Sequence, residues 1–152
     1  MIAVGERYTA DSPVRGVLDA SVAARWFIPE QANDATEVLL EAVRQSDGDS
    51  VQRPMFVVPE IFFAEVMSAV TKQCRGAELL ASCADAIARL PVDRVPWEQT
   101  PVELYLEMVG QRVGAYDAIY AAIALEAGLP LLTADAGLFR ALRRPPWVVL
   151  IE

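Results

Sequence analysis

A chain of 152 residues, 54% of them hydrophobic and 22% charged, is the size of one ordinary domain and is long enough to bury a real core. Its apolar residues fall in short runs, so nothing approaches the roughly 20 needed to cross a bilayer, and Met1 to Gly16 lacks the apolar stretch of a signal peptide; the reading is a single soluble, cytoplasmic domain with no membrane role. The net charge of -8 weighs against a protein with a basic nucleic-acid-binding face, and the lack of any histidine excludes histidine acid-base chemistry, Ser-His-Asp and Cys-His nucleophiles and nearly every protein zinc site.

Gly16-Val17-Leu18-Asp19 reads as a short buried strand ending on an acid, followed by a short helix through Phe27 with Ser21 as its cap. A second helix is expected from Asn33 to Arg44, with Ala35, Val38, Leu39, Ala42 and Val43 on its buried face, and then a polar loop from Ser46 to Arg53. Met55 to Val58 is the next strand. Pro59 suits a first helical turn, and the helix through Gln73 is apolar on most sides yet carries Glu65 in its middle. Gly76 separates it from an amphipathic helix over Ala77 to Leu90. Val92 to Val95 makes a brief strand, and Thr100 to Val113 a helix with Thr100 as N-cap and Pro101 at its first position.

Gly114 opens an almost wholly apolar helix from Tyr116 with Asp117 in its first turn, stopped by Gly128 and Pro130. Leu131-Leu132-Thr133 is a buried strand, Asp135 follows at once, a helix covers Ala136 to Leu142, and Trp147 to Ile151 is the last strand. Short strands alternating with helices imply a three-layer α/β/α sandwich with a mainly parallel central sheet. Cys74 and Cys83 fall in helical stretches and read as small buried hydrophobes rather than a disulfide or redox pair. Most of the aromatics Trp26, Phe27, Phe62 and Phe63 read as core.

Without histidine, any catalysis falls to carboxylates. Asp19, Glu65, Asp117 and Asp135 each sit at or near the end of an apolar element or inside one. In parallel sheets the ligand site lies beyond the carboxyl ends of strands, where Asp19 and Asp135 fall. Each acid has a plain structural alternative: a helix cap or first-turn acid for Asp117 and Asp135, a turn residue for Asp19, a solvent-facing helix position for Glu65. Together they suggest one cluster, in which like charges raise one another's pKa unless a cation offsets them. Magnesium or manganese is the natural occupant of a hard oxygen site. Such an ion would also attract phosphate to an acidic protein. Arg140, Arg143 and Arg144 form a basic run after Asp135, read equally as a solvated helix end or as contacts to a phosphate backbone. Asp85, Asp93, Glu60 and Glu126 read as structural, and Lys72, the only lysine, is placed away from the acid-bearing ends, which disfavours a phospho-acceptor domain.

The blocks Val17-Leu18-Asp19-Ala20-Ser21, Val58-Pro59-Glu60-Ile61 through Ala64-Glu65-Val66, Tyr116-Asp117-Ala118-Ile119-Tyr120-Ala121 and Leu132-Thr133-Ala134-Asp135 resemble the ordered motifs of PIN-domain ribonucleases, especially VapC-type toxins. The resemblance runs over residues 17–152. Residues 1–16 depart from it and read as an N-terminal extension: a disordered lead, a non-native remnant or an added edge element. The resemblance implies magnesium- or manganese-dependent cleavage of single-stranded or looped RNA, leaving a 5'-phosphate and a 3'-hydroxyl. By motif position it makes Asp19, Glu65, Asp117 and Asp135 the acidic quartet and Ser21 and Thr133 its supporting hydroxyls. It also implies a small cognate antitoxin as partner and a homodimer. Two other readings stand beside it: a PIN-type RNA-processing nuclease without toxicity, and a non-catalytic binding module that keeps the fold.

Overall fold

The computed structural model describes residues 15–46 and 56–152, and within them five short strands make one wholly parallel sheet. In chain order these are β1 (Gly16–Leu18), β2 (Phe56–Pro59), β3 (Asp93–Val95), β4 (Leu131–Thr133) and β5 (Val148–Leu150). Their order across the sheet is β3-β2-β1-β4-β5. The first strand is thus the middle one, and the chain winds outward from it in both directions. Strands covered on both faces read as continuous apolar runs rather than as alternation, the pattern of Val17-Leu18, Phe56-Val57-Val58 and Leu131-Leu132, all of them buried. Edge strand β3 instead exposes Asp93 and Arg94, charges that discourage pairing with a further strand.

Seven α-helices lie among the described residues: α1 (Ala20–Phe27), α2 (Asp34–Gln45), α3 (Ile61–Gln73), α4 (Ala77–Ala88), α5 (Val102–Gly110), α6 (Ala115–Ala127) and α7 (Ala136–Ala141). Right-handed crossovers put α1 to α4 on one face as the chain winds from β1 to β3. The return across the sheet to β4 and β5 puts α5 to α7 on the other. The result is the three-layer sandwich expected from the alternation of elements, with a sheet that is parallel throughout. Among the described residues no helix is long and apolar enough to cross a membrane. Cys83 is buried and Cys74 partly so, and neither forms a disulfide.

Two glycines meet definite demands. A Cβ on Gly16 would stand 2.9 Å from the Pro130 carbonyl oxygen and from the Leu132 side chain, so the close approach of β1 to β4 needs glycine. Gly128 ends α6 with φ at 64°, a left-handed conformation that glycine adopts without steric cost. The turn closes as Leu129 N–H donates to the Ala124 carbonyl.

Several local expectations are corrected. Asp19, not Ser21, occupies the N-cap position of α1, while Ser21 lies in the first turn with its hydroxyl donating to the Asp19 carboxylate. Pro59 ends β2 instead of opening a helix, and α3 starts at Ile61; its missing N–H falls where the ladder runs out, and Glu60 N–H takes the Val95 carbonyl. Thr100 closes a short 3-10 turn over Trp97–Gln99 by donating its N–H to the Trp97 carbonyl, so α5 starts only at Val102 and stops at Gly110, short of Val113. Val38 is 42% exposed, and Thr36 takes the buried position. Thr36 is held there by reciprocal capping with Asn33 and by its carbonyl, which accepts the Trp26 indole N–H at 2.8 Å. Most of the N-terminal extension and of the loop after Ser46 lies outside the described residues.

Phe62 is fully buried, while Trp26, Phe27 and Phe63 pack against the core from its margin. Phe63 is also covered by the Arg94 guanidinium, 4.2 Å from the ring centroid.

The two neighbours on α2 give a direct test of how that helix is turned. Leu39→Ala should cost about 2–5 kcal/mol in urea unfolding and Val38→Ala no more than about 0.5 kcal/mol. Equal losses would mean that α2 presents a different face.

Candidate active site

The order β3-β2-β1-β4-β5 reverses its winding direction between β1 and β4, and in a parallel sheet the crevice for ligands opens beyond the carboxyl ends of the strands at such a point. Asp19 follows the last residue of β1 and Asp135 lies two residues past the end of β4. Both acids therefore flank the reversal, because of where their strands stop.

Asp19 is only 5% exposed. Its Oδ2 accepts hydrogen bonds from the Ser21 hydroxyl and, at 2.8 Å, from the Thr133 hydroxyl. Burial pushes its carboxyl above the ordinary carboxylate range, the two hydroxyls pull it back in part, and the charge of Asp135 adds to the rise. The same hydroxyls also order the chain entering the second acid: Ala134 N–H donates to Ser21 Oγ at 2.9 Å and Asp135 N–H donates to Thr133 Oγ1 at 3.0 Å. Asp135 then caps α7, its Oδ1 accepting from the N–H groups of Gly137 and Leu138, and its side chain is exposed.

Glu65 comes from the face of α3 and meets Tyr120 of α6, whose hydroxyl donates to Glu65 Oε1 at 2.7 Å. Burial raises the Glu65 carboxyl, the Tyr120 bond opposes that rise, and the charge of Asp19 reinforces it. Burial and the neighbouring Glu65 carboxylate together push the Tyr120 phenol far up, so it remains a donor at any working pH. Asp117, in the first turn of α6, is pushed up to about 6, first by burial and then by the charges of Asp19, Asp135 and Glu65. Asp117 thus lies within the field of the other three acids.

Among the described residues no group of three or more of these side chains stands at the spacing of a finished metal-ligand set. The donor chemistry nonetheless fits a hard divalent cation: oxygen atoms only, a surplus of like charge, and hydroxyl support for the most buried member. Arg140, Arg143 and Arg144 are exposed and lie at the far end of α7 from Asp135, with about 9 Å of helix between. Arg143 and Arg144 both adopt positive φ. Arg25 of α1 reaches the turn before Asp135, donating to the carbonyl of Ala134 at 3.3 Å.

Tyr120 and Arg25 are the neighbours of the candidate site that reading the chain missed. Tyr120 had a signal, since it stands three residues after Asp117 on the same side of the helix and a buried phenol needs a partner. Arg25 had none beyond its place in the helix that follows β1.

The sign of the Asp117 shift makes a measurable claim. A carboxyl raised in the folded state from 3.8 to about 6 favours folding below its ordinary pKa and loses that contribution as pH rises through about 6. In EDTA, Asp117→Asn should therefore melt at a higher temperature than the wild type at pH 7.5, and the gap should narrow toward pH 4. A gap that is constant with pH would remove Asp117 from the shared field.

The profile of the PIN domain family matches residues 16–144. A comparison with curated protein sequences finds no significant match. Among solved structures, the chain is similar to one in a toxin-antitoxin complex from Klebsiella pneumoniae, with a TM-score of 0.60 and 19% identity over 88% of this chain and 95% of that one. It is also similar to a chain of VapBC2 from Rickettsia felis bound to a DNA fragment from its promoter, with a TM-score of 0.63 and 17% identity over 90% of this chain and 97% of the other. With 129 consecutive residues matched, from the first strand to the end of the α7 turn, the chain belongs to the PIN domain family.

Proposed function

We propose that this protein is a metal-dependent endoribonuclease that hydrolyses single-stranded or looped RNA, and that it is the toxin of a toxin-antitoxin pair acting in the cytoplasm. The observation that carries the reading is the gathering of Asp19, Glu65, Asp117 and Asp135 at the β1/β4 reversal, each with its carboxyl subject to the charge of the others or exerting charge on them. These four carboxylates would hold magnesium or manganese. A divalent cation, when bound, supplies Lewis acidity that lowers the pKa of water and screens charge on a phosphodiester.

Around it the chain's own groups have separate tasks. Ser21 and Thr133 keep the Asp19 carboxylate oriented and offset part of its burial. Tyr120 orients Glu65. Asp135, exposed and held by two backbone N–H groups, offers an oxygen on the solvent side. Arg25 lies close enough to the Ala134–Asp135 turn to meet a phosphate of the substrate, and Arg140, Arg143 and Arg144 extend positive charge along α7 for a longer strand.

The similarity to chains of toxin-antitoxin complexes supports a small cognate antitoxin as partner; a homodimer as the assembled form is proposed on the family resemblance of the motifs alone. On this reading, expression of the wild type arrests bacterial growth and expression of Asp117→Asn does not.

The deciding experiment is cleavage of a pool of structured RNAs in magnesium, manganese or EDTA. The wild type should cut only with metal. Asp19→Asn should lose about 100-fold or more, and Thr133→Ala about tenfold, the scale on which groups that orient a metal ligand act. No cutting under any condition, with no metal uptake by calorimetry, would leave a binding module that keeps the fold without the chemistry.

A further inference from the structure

A cavity of about 500 Å³ opens beside the carboxylates, within the range of small-molecule sites. One wall is the face of α3 running from Ile61 through Glu65 to Lys72, and the other is Tyr116 at the start of α6. Glu65 thus belongs both to the acid centre and to this groove. Tyr116 immediately precedes Asp117 and is 65% exposed, which is unusual for an aromatic with apolar surface opposite. Lys72 lies two helical turns from Glu65, about 10 Å along the axis, and among the described residues it has no carboxylate within ion-pair distance. On a chain of net charge -8, an ammonium with no ion pair among the described residues, in a groove that ends at an acid centre, offers positive charge to an anionic occupant.

We propose that this groove is a nucleotide subsite, which takes a base of the RNA strand on the ring of Tyr116 while Lys72 meets a neighbouring backbone phosphate. The inference rests on the ribonuclease reading and adds to it where the strand lies relative to the scissile bond. Aromatic stacking and an ammonium for the phosphate are the two halves of single-strand recognition. Alanine and isoleucine on the α3 wall supply the apolar surface opposite the ring. An apolar anchor from a protein partner would use that wall and leave Lys72 unmatched. Because every base has a π-face, the subsite places the strand more than it selects a sequence.

Steady-state cleavage of a fluorescent single-stranded RNA by wild type, Tyr116→Ala, Tyr116→Phe and Lys72→Met tests this. Tyr116→Ala should raise KM about tenfold with kcat within about twofold. Tyr116→Phe keeps the ring and should match the wild type, and Lys72→Met should raise KM and flatten its dependence on salt. Both side chains are exposed, so melting temperatures should not change. As a readout independent of turnover, RNA carrying 4-thiouridine should photo-crosslink to the peptide that contains Tyr116. Unchanged KM in both Tyr116→Ala and Lys72→Met, with a wild type that cleaves, would overturn the subsite and leave the ribonuclease reading standing. A wild type that cleaves no RNA would overturn both. Unchanged KM together with loss of a copurifying protein from Tyr116→Ala would assign the groove to that protein and overturn the subsite.

Discussion

The arrangement at the carboxyl edge of the sheet depends on holding one carboxylate, that of Asp19, where water hardly reaches it. An ionised carboxylate taken out of water costs several kcal/mol unless hydrogen bonds or a countercharge replace its hydration. Here two hydroxyls do so, one from α1 and one from β4, and they offset the cost only in part, since the Asp19 carboxyl still stands above its ordinary range. The same two oxygens accept the backbone N–H groups of Ala134 and Asp135. The bonds that settle Asp19 therefore also fix the turn that presents Asp135, and the two central strands are tied together at the point where the sheet reverses its winding. No side-chain polar atom buried among the described residues lacks a partner, so the network is closed and its strain is electrostatic.

Helix α6 carries the other half of the constraint. Ala118 to Ala124 are all buried, so the helix has no solvent face along that stretch to absorb a rotation. Any turn about its axis would drive Tyr120 out of its contact with Glu65 or push the alanines into the sheet. Small side chains let the helix lie close to β1, β2 and β4, and close packing of that kind resists displacement. Asp117 is thereby positioned by the buried stretch of its own helix. The hydroxyl of Tyr120 gives the same helix a second polar group, aimed at α3 instead of the sheet.

The fold was legible because its signals are local and mutually consistent. Continuous apolar runs bounded by glycine and proline, such as Leu131-Leu132 between Pro130 and Asp135, have few alternatives to a doubly covered strand. An apolar helix such as α6 can only be buried. Legibility failed where one residue type serves two local structures. Ser21 and Thr100 both look like helix caps, but the Ser21 hydroxyl had a buried carboxylate to satisfy, and Thr100 completed the preceding turn first. Val38 and Thr36 compete for one face of α2, and the capping of Asn33 decided it in favour of the less apolar residue. Asp19, Asp117 and Asp135 stood out by their places at element ends and Glu65 by its place inside an apolar helix, but their mutual spacing depends on how α3 and α6 pack, which no periodicity carries. Tyr120 was hidden for a related reason: its partner Glu65 lies 55 residues away, and an aromatic in an apolar helix is explained fully by the core until that partner is known.

The acids are graded by burial, and the grading accounts for the different company each keeps. Asp19 is enclosed and needs hydroxyl donors. Glu65 and Asp117 are half-buried, and only Glu65 has a side-chain donor in reach, which is why the mutual repulsion is visible most plainly on Asp117. Asp135 is exposed and is held by two backbone N–H groups. On the proposed metal-dependent reading, a cation entering from solvent would meet the exposed oxygen first and the desolvated, hydroxyl-supported oxygen last, and the cost of stripping its water would be offset by the field of the deeper carboxylates. A site built in the opposite order, with its unsupported acid innermost, would leave the largest desolvation cost on the group with the fewest hydrogen bonds. Proton uptake would then neutralise that group before a cation reached it.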